Sequence, residues 1–125
     1  MIPFTSNKYP CEVKIGGASY HHVTGYLESM KHRGNPEFAE AIRKERSPNI
    51  ALEMGDVHAI KWADLDAGKR ALTPSELESW RRHERAYLCE ALRAKFRPGS
   101  RLRCLLERAA RDGDPEALGI LATIT

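Results

Sequence analysis

No run of apolar residues in this chain approaches the roughly 20 needed to span a bilayer as a helix. The opening MIPFTSNKYP also lacks the basic-then-apolar build of a secretory leader, so a cytoplasmic protein is expected. Cysteine is scarce: Cys11, Cys89 and Cys104 are odd in number and widely spaced, with no C-x-x-C pair. They fit reduced, mostly buried thiols better than a disulfide frame or a zinc site. The histidines form no H-E-x-x-H or comparable spacing, and the adjacent His21 and His22 would point apart on a helix. Neither a metal nor a cofactor is therefore expected. Internal repeats and low-complexity segments are missing as well.

What remains is 42% hydrophobic and 30% charged over 125 residues, the profile of one globular domain able to bury a core. The net charge of +3 is mild but unevenly placed. Arg81, Arg82, Arg85, Arg93, Lys95, Arg97, Arg101, Arg103, Arg108 and Arg111 crowd the C-terminal half. Such a distribution serves phosphate-bearing ligands or nucleic acid, or it simply solvates helices beside Glu76, Glu78, Glu84, Glu90 and Glu107.

Residues 1–10 read as an irregular lead-in, since Pro3 and Pro10 exclude regular helix. Cys11–Ile15 alternates apolar and polar side chains, Gly16-Gly17 follows, and Ala18-Ser19-Tyr20 resumes, which predicts a short hairpin or bend. The stretch Ser19–His32 fits a helix ending at Gly34, a C′ glycine. Tyr20, Val23, Tyr26, Leu27 and Met30 would share its apolar arc, with His21, Thr24, Glu28 and Lys31 on a neighbouring polar strip. Taken alone, that strip is a solvated face with a weak Glu28–Lys31 pair.

One start signal then recurs. Asn35-Pro36, Ser47-Pro48, Thr73-Pro74 and Asp114-Pro115 each set an N-cap residue before a proline at the first helical position. Thr73 and Glu76 add capping-box spacing. Helices are expected over 36–46, 48–54, 74–96 and 100–112, with a brief terminal turn through Leu118. The 74–96 helix is the spine, with Leu77, Trp80, Leu88, Ala91 and Leu92 inward. Glu84 falls inside that stripe, where it must reach a partner such as Arg81 or Lys95, or face a cavity. Trp62, in an irregular stretch between Gly55 and Leu72, is either a lid over the core or a stacking surface. The fold class expected is mainly α, a compact single helical domain with a small N-terminal β-hairpin.

Several segments, in order, resemble the NADAR family, the group that includes a bacterial riboflavin-side N-glycosidase and enzymes removing ADP-ribose from guanine bases. Phe4-Thr5-Ser6-Asn7-Lys8-Tyr9-Pro10 matches that family's F-x-S-N-F-Y-P opening, apart from lysine at position 8. The strand, glycine turn and Tyr20 also match, and Lys31 falls where the family's helix ends in Q-A-x-K. Asn35–Arg43 resembles its P-E-x-A-E-x-I-R segment. Trp80 stands at the family's distance before Glu90-Ala91-Leu92-Arg93-Ala94-Lys95-Phe96, close to E-A-L-R-A-K-F. The departures are equally definite. The family's S-V-E-H is here His22-Val23-Thr24-Gly25, and Thr24 cannot move a proton as a carboxylate does. A glycine-arginine pair becomes Gly55-Asp56, and a W-G loop is missing before Leu118-Gly119-Ile120-Leu121.

The resemblance implies an N-glycosidase-like hydrolase acting on an N-ribosyl or ADP-ribosyl nucleotide. Lys31 would trap the opened sugar as a Schiff base, and Glu28 or Glu84 would replace the lost glutamate. Asn7 and Tyr9 would orient ribose hydroxyls, Trp80 or Trp62 would stack on the base, and Tyr20 and Thr24 complete the binding set. The alternative is a non-catalytic relative that binds a nucleotide or ADP-ribose, or a protein partner. Nucleic-acid binding rests only on the arginines. No membrane partner is expected.

Overall fold

The computed structural model describes residues 1–58 and 61–125, without the side chains of Trp62 and Ala63. It is mainly helical, with one small hairpin near the N-terminus. The lead-in carries neither helix nor strand. Strands β1 (Val13–Ile15) and β2 (Ala18–Tyr20) then pair antiparallel, with Val13 opposite Tyr20. Gly16 and Gly17 take φ of 60° and 82°, the left-handed pair that a two-residue turn of matching twist requires. Seven helices follow among the described residues: α1 (Val23–Lys31), α2 (Pro36–Lys44), α3 (Pro48–Gly55), α4 (Trp62–Asp66), α5 (Pro74–Lys95), α6 (Arg101–Arg111) and α7 (Pro115–Ile124).

All four prolines of the recurring start signal sit in the first turn of a helix. Ser47, Thr73 and Asp114 accept from backbone N–H groups as caps, and Thr73 with Glu76 closes the full capping box. Asn35 differs: its amide donates to the Gly68 carbonyl at 2.7 Å and leaves α2 without a side-chain cap.

Four expectations are corrected. The helix expected from Ser19 begins at Val23, because Ser19 and Tyr20 belong to β2 and His22 caps α1. His22 Nδ1 accepts from the Gly25 N–H at 2.8 Å, so Nε2 carries the proton and donates to the Arg46 carbonyl at 3.1 Å. At its other end α1 stops at Lys31, with His32 rather than Gly34 at the cap. The terminal turn is a ten-residue helix, α7, which lies against α6 and buries Ala117 and Ile124. The thiols are free, yet none is fully buried: Cys11 and Cys89 are half-buried and Cys104 is exposed.

The main core joins the hairpin to α1, α5, α6 and α7 through Val13, Tyr26, Leu92, Phe96 and Leu106. A smaller core holds Phe38, Ile42 and Ala51 between α2 and α3. Burying a Phe or Ile of this kind contributes about 2 kcal/mol. Helix α1 lies between the two cores, touching α2, α3 and α5. Enclosure on three sides is why its polar strip is covered: Thr24 and Glu28 are buried, not solvated. Among the described residues no helix is long and apolar enough to cross a membrane.

Candidate functional site

The last turn of α1 sets Glu28 and Lys31 three residues apart, and their side chains meet at 2.7 Å between Oε1 and Nζ. Glu28 is only 6% exposed. Burial pushes its carboxyl above the ordinary carboxylate range; Lys31 opposes that push, and Glu84 and Asp56 add to it. The pair opens on a cavity of about 360 Å³ walled by Leu52, Glu53, Asp56 and Val57. α3 comes close enough to form this wall because Gly55, at its end, has no side chain: the Glu28 carboxyl occupies that space.

On the other side, α5 supplies a support for the lysine. The Lys31 Nζ lies 5.9 Å from the centre of the Trp80 ring, within cation–π range. Trp80 stacks on Tyr87 at 5.8 Å and 16° between planes. The Arg33 guanidinium lies 5.3 Å from the Tyr87 ring centre and donates from Nη2 to Ser79 Oγ at 2.9 Å. Two cations thus ride on two stacked rings. Trp80 and Tyr87 are seven residues apart on α5, two turns of one face.

Behind the cavity, His32 donates from Nε2 to the Gly55 carbonyl at 3.1 Å and packs edge-on against Phe38. Burial pushes the His32 imidazole below its ordinary pKa, so it stays neutral. Buried Lys69 donates to the Asp56 carbonyl at 2.8 Å and faces Asp64 at 3.8 Å. Together these bonds fix the Gly55–Asp56 wall.

The remaining sequence-derived residues fall elsewhere. The Asn7 carbonyl accepts both the Thr24 N–H (3.0 Å) and the Thr24 hydroxyl (3.1 Å), tying the lead-in to the first turn of α1. Thr24 is committed to that anchor. Tyr9 lies against the buried Lys95, whose Nζ is 5.5 Å from its ring centre and donates to the Ser6 carbonyl at 2.7 Å. Burial depresses the Lys95 ammonium to about 8. Tyr20 packs edge-on against Tyr26 at 5.0 Å and lines a separate groove with Cys11 and Arg46. Glu84 is exposed on α5 and, among the described residues, pairs with neither Arg81 nor Lys95. Its position on the wheel matches the apolar stripe, but residues 81–86 of α5 are all exposed. The Trp62 side chain lies outside the described residues. Trp80 is 6% exposed, occupied by Tyr87 and Lys31, and so holds the ammonium rather than offering an open face to a base.

The structure therefore gathers Glu28, Lys31 and Trp80, and adds Arg33, Ser79, Tyr87 and Gly55. Tyr87 follows Trp80 by two turns and flanks the α5 stripe, and Gly55 is legible as a helix stop; no periodicity marks Arg33 or Ser79. Among the described residues no group of three or more His, Cys, Asp or Glu side chains is placed to hold a metal ion. Comparison with family models, curated proteins and solved structures finds no match for this chain.

Proposed function

We propose that this chain is an N-glycosidase-like hydrolase of an N-ribosyl or ADP-ribosyl nucleotide, with Glu28 and Lys31 as its catalytic pair. The observation that carries this reading is a buried carboxyl of raised pKa in contact with an ammonium at the edge of an open cavity. A carboxyl tuned upward holds a proton nearer neutral pH, which general acid catalysis needs. Transfer of one proton from Lys31 to Glu28 leaves an amine and a carboxylic acid side by side. The amine attacks the anomeric carbon, the bond from that carbon to the base nitrogen breaks, and Glu28 returns the proton to the departing base. Water then hydrolyses the sugar–lysine adduct, freeing the sugar and restoring the ion pair. The similarity to the NADAR pattern at Asn7, Lys31 and Trp80 supports the same class of substrate. The three free thiols support a cytoplasmic setting.

The second reading is a relative that binds the nucleotide or ADP-ribose, or a protein partner, without turnover. One observation favours it: Thr24, which stands at the family's glutamate, spends its hydroxyl on the Asn7 carbonyl. Incubation with ADP-ribosylated guanosine and with ribosylaminopyrimidine phosphate, with chromatography of the released base, separates the two. Base release that disappears in Lys31→Ala and falls about 10²-fold or more in Glu28→Gln is expected. Full activity in Lys31→Ala would overturn the scheme, and tight binding of ADP-ribose with no release would establish the second reading.

A further inference from the structure

We infer that the cavity on the α5 side of Lys31 is a phosphate subsite, which takes the phosphate or diphosphate of a nucleotide whose sugar faces Glu28. The inference rests on the glycosidase reading of the Glu28–Lys31 pair and adds the substrate's orientation. This cavity, of about 250 Å³, is separate from the one beside Glu28, and Lys31 lines both. Its other walls are Arg33, Gly34, Ser75, Glu76 and Ser79.

The two sides of Lys31 differ in chemistry. The first cavity is lined by three carboxylates, of which Glu28 is paired with Lys31 and Glu53 with Lys61, so the Asp56 carboxylate is the one left to oppose an anion. The second presents the ammonium of Lys31, the guanidinium of Arg33 and two serine hydroxyls. Arg33 is held in place before any ligand arrives. Tyr87 supports its plane, Ser79 Oγ accepts one N–H, and the fork retains donors for an oxyanion. Ser79 uses its oxygen as acceptor, so its O–H is left to donate.

Glu76 is the one acidic wall of this cavity, and its charge is already matched. Arg70 grips it from Nη1 and Nη2 at 2.7 and 3.0 Å, and the Thr73 N–H donates to it at 2.9 Å. Lys31 is paired with Glu28 and Glu76 with Arg70, so among the described residues lining this cavity Arg33 is the cation with no carboxylate partner. Asp56 disfavours phosphate in the other cavity, where no arginine lines the wall, so a phosphorylated sugar is favoured in one direction across Lys31.

The test is calorimetric titration of the full chain with pyrophosphate, ADP and adenosine at fixed ionic strength. Pyrophosphate and ADP should bind and adenosine should bind at least tenfold more weakly. Arg33→Gln should weaken ADP binding about tenfold or more without changing adenosine binding, and Arg33→Lys should fall between. Arg81→Gln, which removes an exposed arginine elsewhere on α5, should bind ADP as the unaltered chain does; circular dichroism confirms that each variant is folded. Equal affinity for adenosine and ADP, or equal losses in Arg33→Gln and Arg81→Gln, would overturn the subsite. The two readings fail separately. ADP binding through Arg33 with no base release from any substrate leaves the subsite and removes the glycosidase. Base release that is indifferent to the substrate's phosphate does the reverse.

Discussion

The carboxyl group of Glu28 fills the volume that a side chain on Gly55 would need. A Cβ placed on Gly55 would lie 2.6 Å from Glu28 Cδ and 2.8 Å from Glu28 Cβ, closer than such atoms approach. The acid of the candidate site and the residue that ends α3 are therefore a matched pair.

That match is measurable as coupling. Gly55→Ala should destabilise the fold by about 1–3 kcal/mol, since the α3 wall must shift to admit the methyl group. In a Glu28→Ala background most of that cost should vanish, leaving a coupling of about 1 kcal/mol or more. Urea denaturation of the two single variants and the double variant supplies the cycle, and simple additivity would contradict the packing described.

Glu28 also makes a signed statement about pH. Its carboxyl is raised in the folded state, so the unfolded chain releases that proton first as pH rises. The contribution to stability is present below the unfolded value and declines as pH rises towards the folded one. Glu28→Gln should therefore be at least as stable as the unaltered chain at pH 7, while losing base release. A melting temperature that drops several degrees at pH 7 would show that the Lys31 contact outweighs the cost of burial.

His22 acts in the opposite sense. Its imidazole is fully buried, and burial holds its pKa below the ordinary value. The unfolded chain then binds the proton more readily, so stability is held above about pH 6.5 and lost as pH falls through the folded value. Protonation also removes the Nδ1 acceptor that caps α1. His22→Asn keeps a capping oxygen but does not titrate, so its melting temperature should fall less between pH 7 and pH 5. The slope decides the matter, because loss of the ring lowers the absolute value at every pH.

Lys95 gives the alkaline counterpart. It is 3% exposed and titrates at about 8, against an ordinary 10.5. Between those values the unfolded chain binds the extra proton, so stability should rise with pH, by about 1–3 kcal/mol. Lys95→Met should abolish that rise. It should also cost little at pH 7, because the Ser6 carbonyl keeps the Tyr9 N–H as a donor at 3.1 Å. Urea titrations at pH 8 and pH 10 test both statements.

Much of the helical framework was legible because it is written in local chemistry. A capping side chain followed by proline constrains φ and satisfies orphan N–H groups within one turn, whatever the rest of the chain does. All four prolines mark real helix starts, three of them behind a capping side chain and Pro36 by its fixed φ alone. The glycine pair at 16–17 marked the hairpin for the same reason. Periodicity alone is a weaker guide. Ser19 and Tyr20 fit a helical arc, yet pairing with β1 claims them for a strand. The α7 segment looked too short, because its stability comes from α6 across it.

The site divides in the same way. Glu28 and Lys31 could be seen as neighbours from their spacing of three, a relation internal to one helix. By itself the sequence determined the helix starts, the hairpin turn and this pair, all fixed by interactions within a few residues. Only the tertiary structure decided that Glu28 is buried, that Gly55 gives it room, and that Trp80 and Tyr87 hold Lys31 and Arg33 side by side. Those relations depend on α1 being enclosed by α2, α3 and α5, and burial of a charge is set by what other segments bring against it.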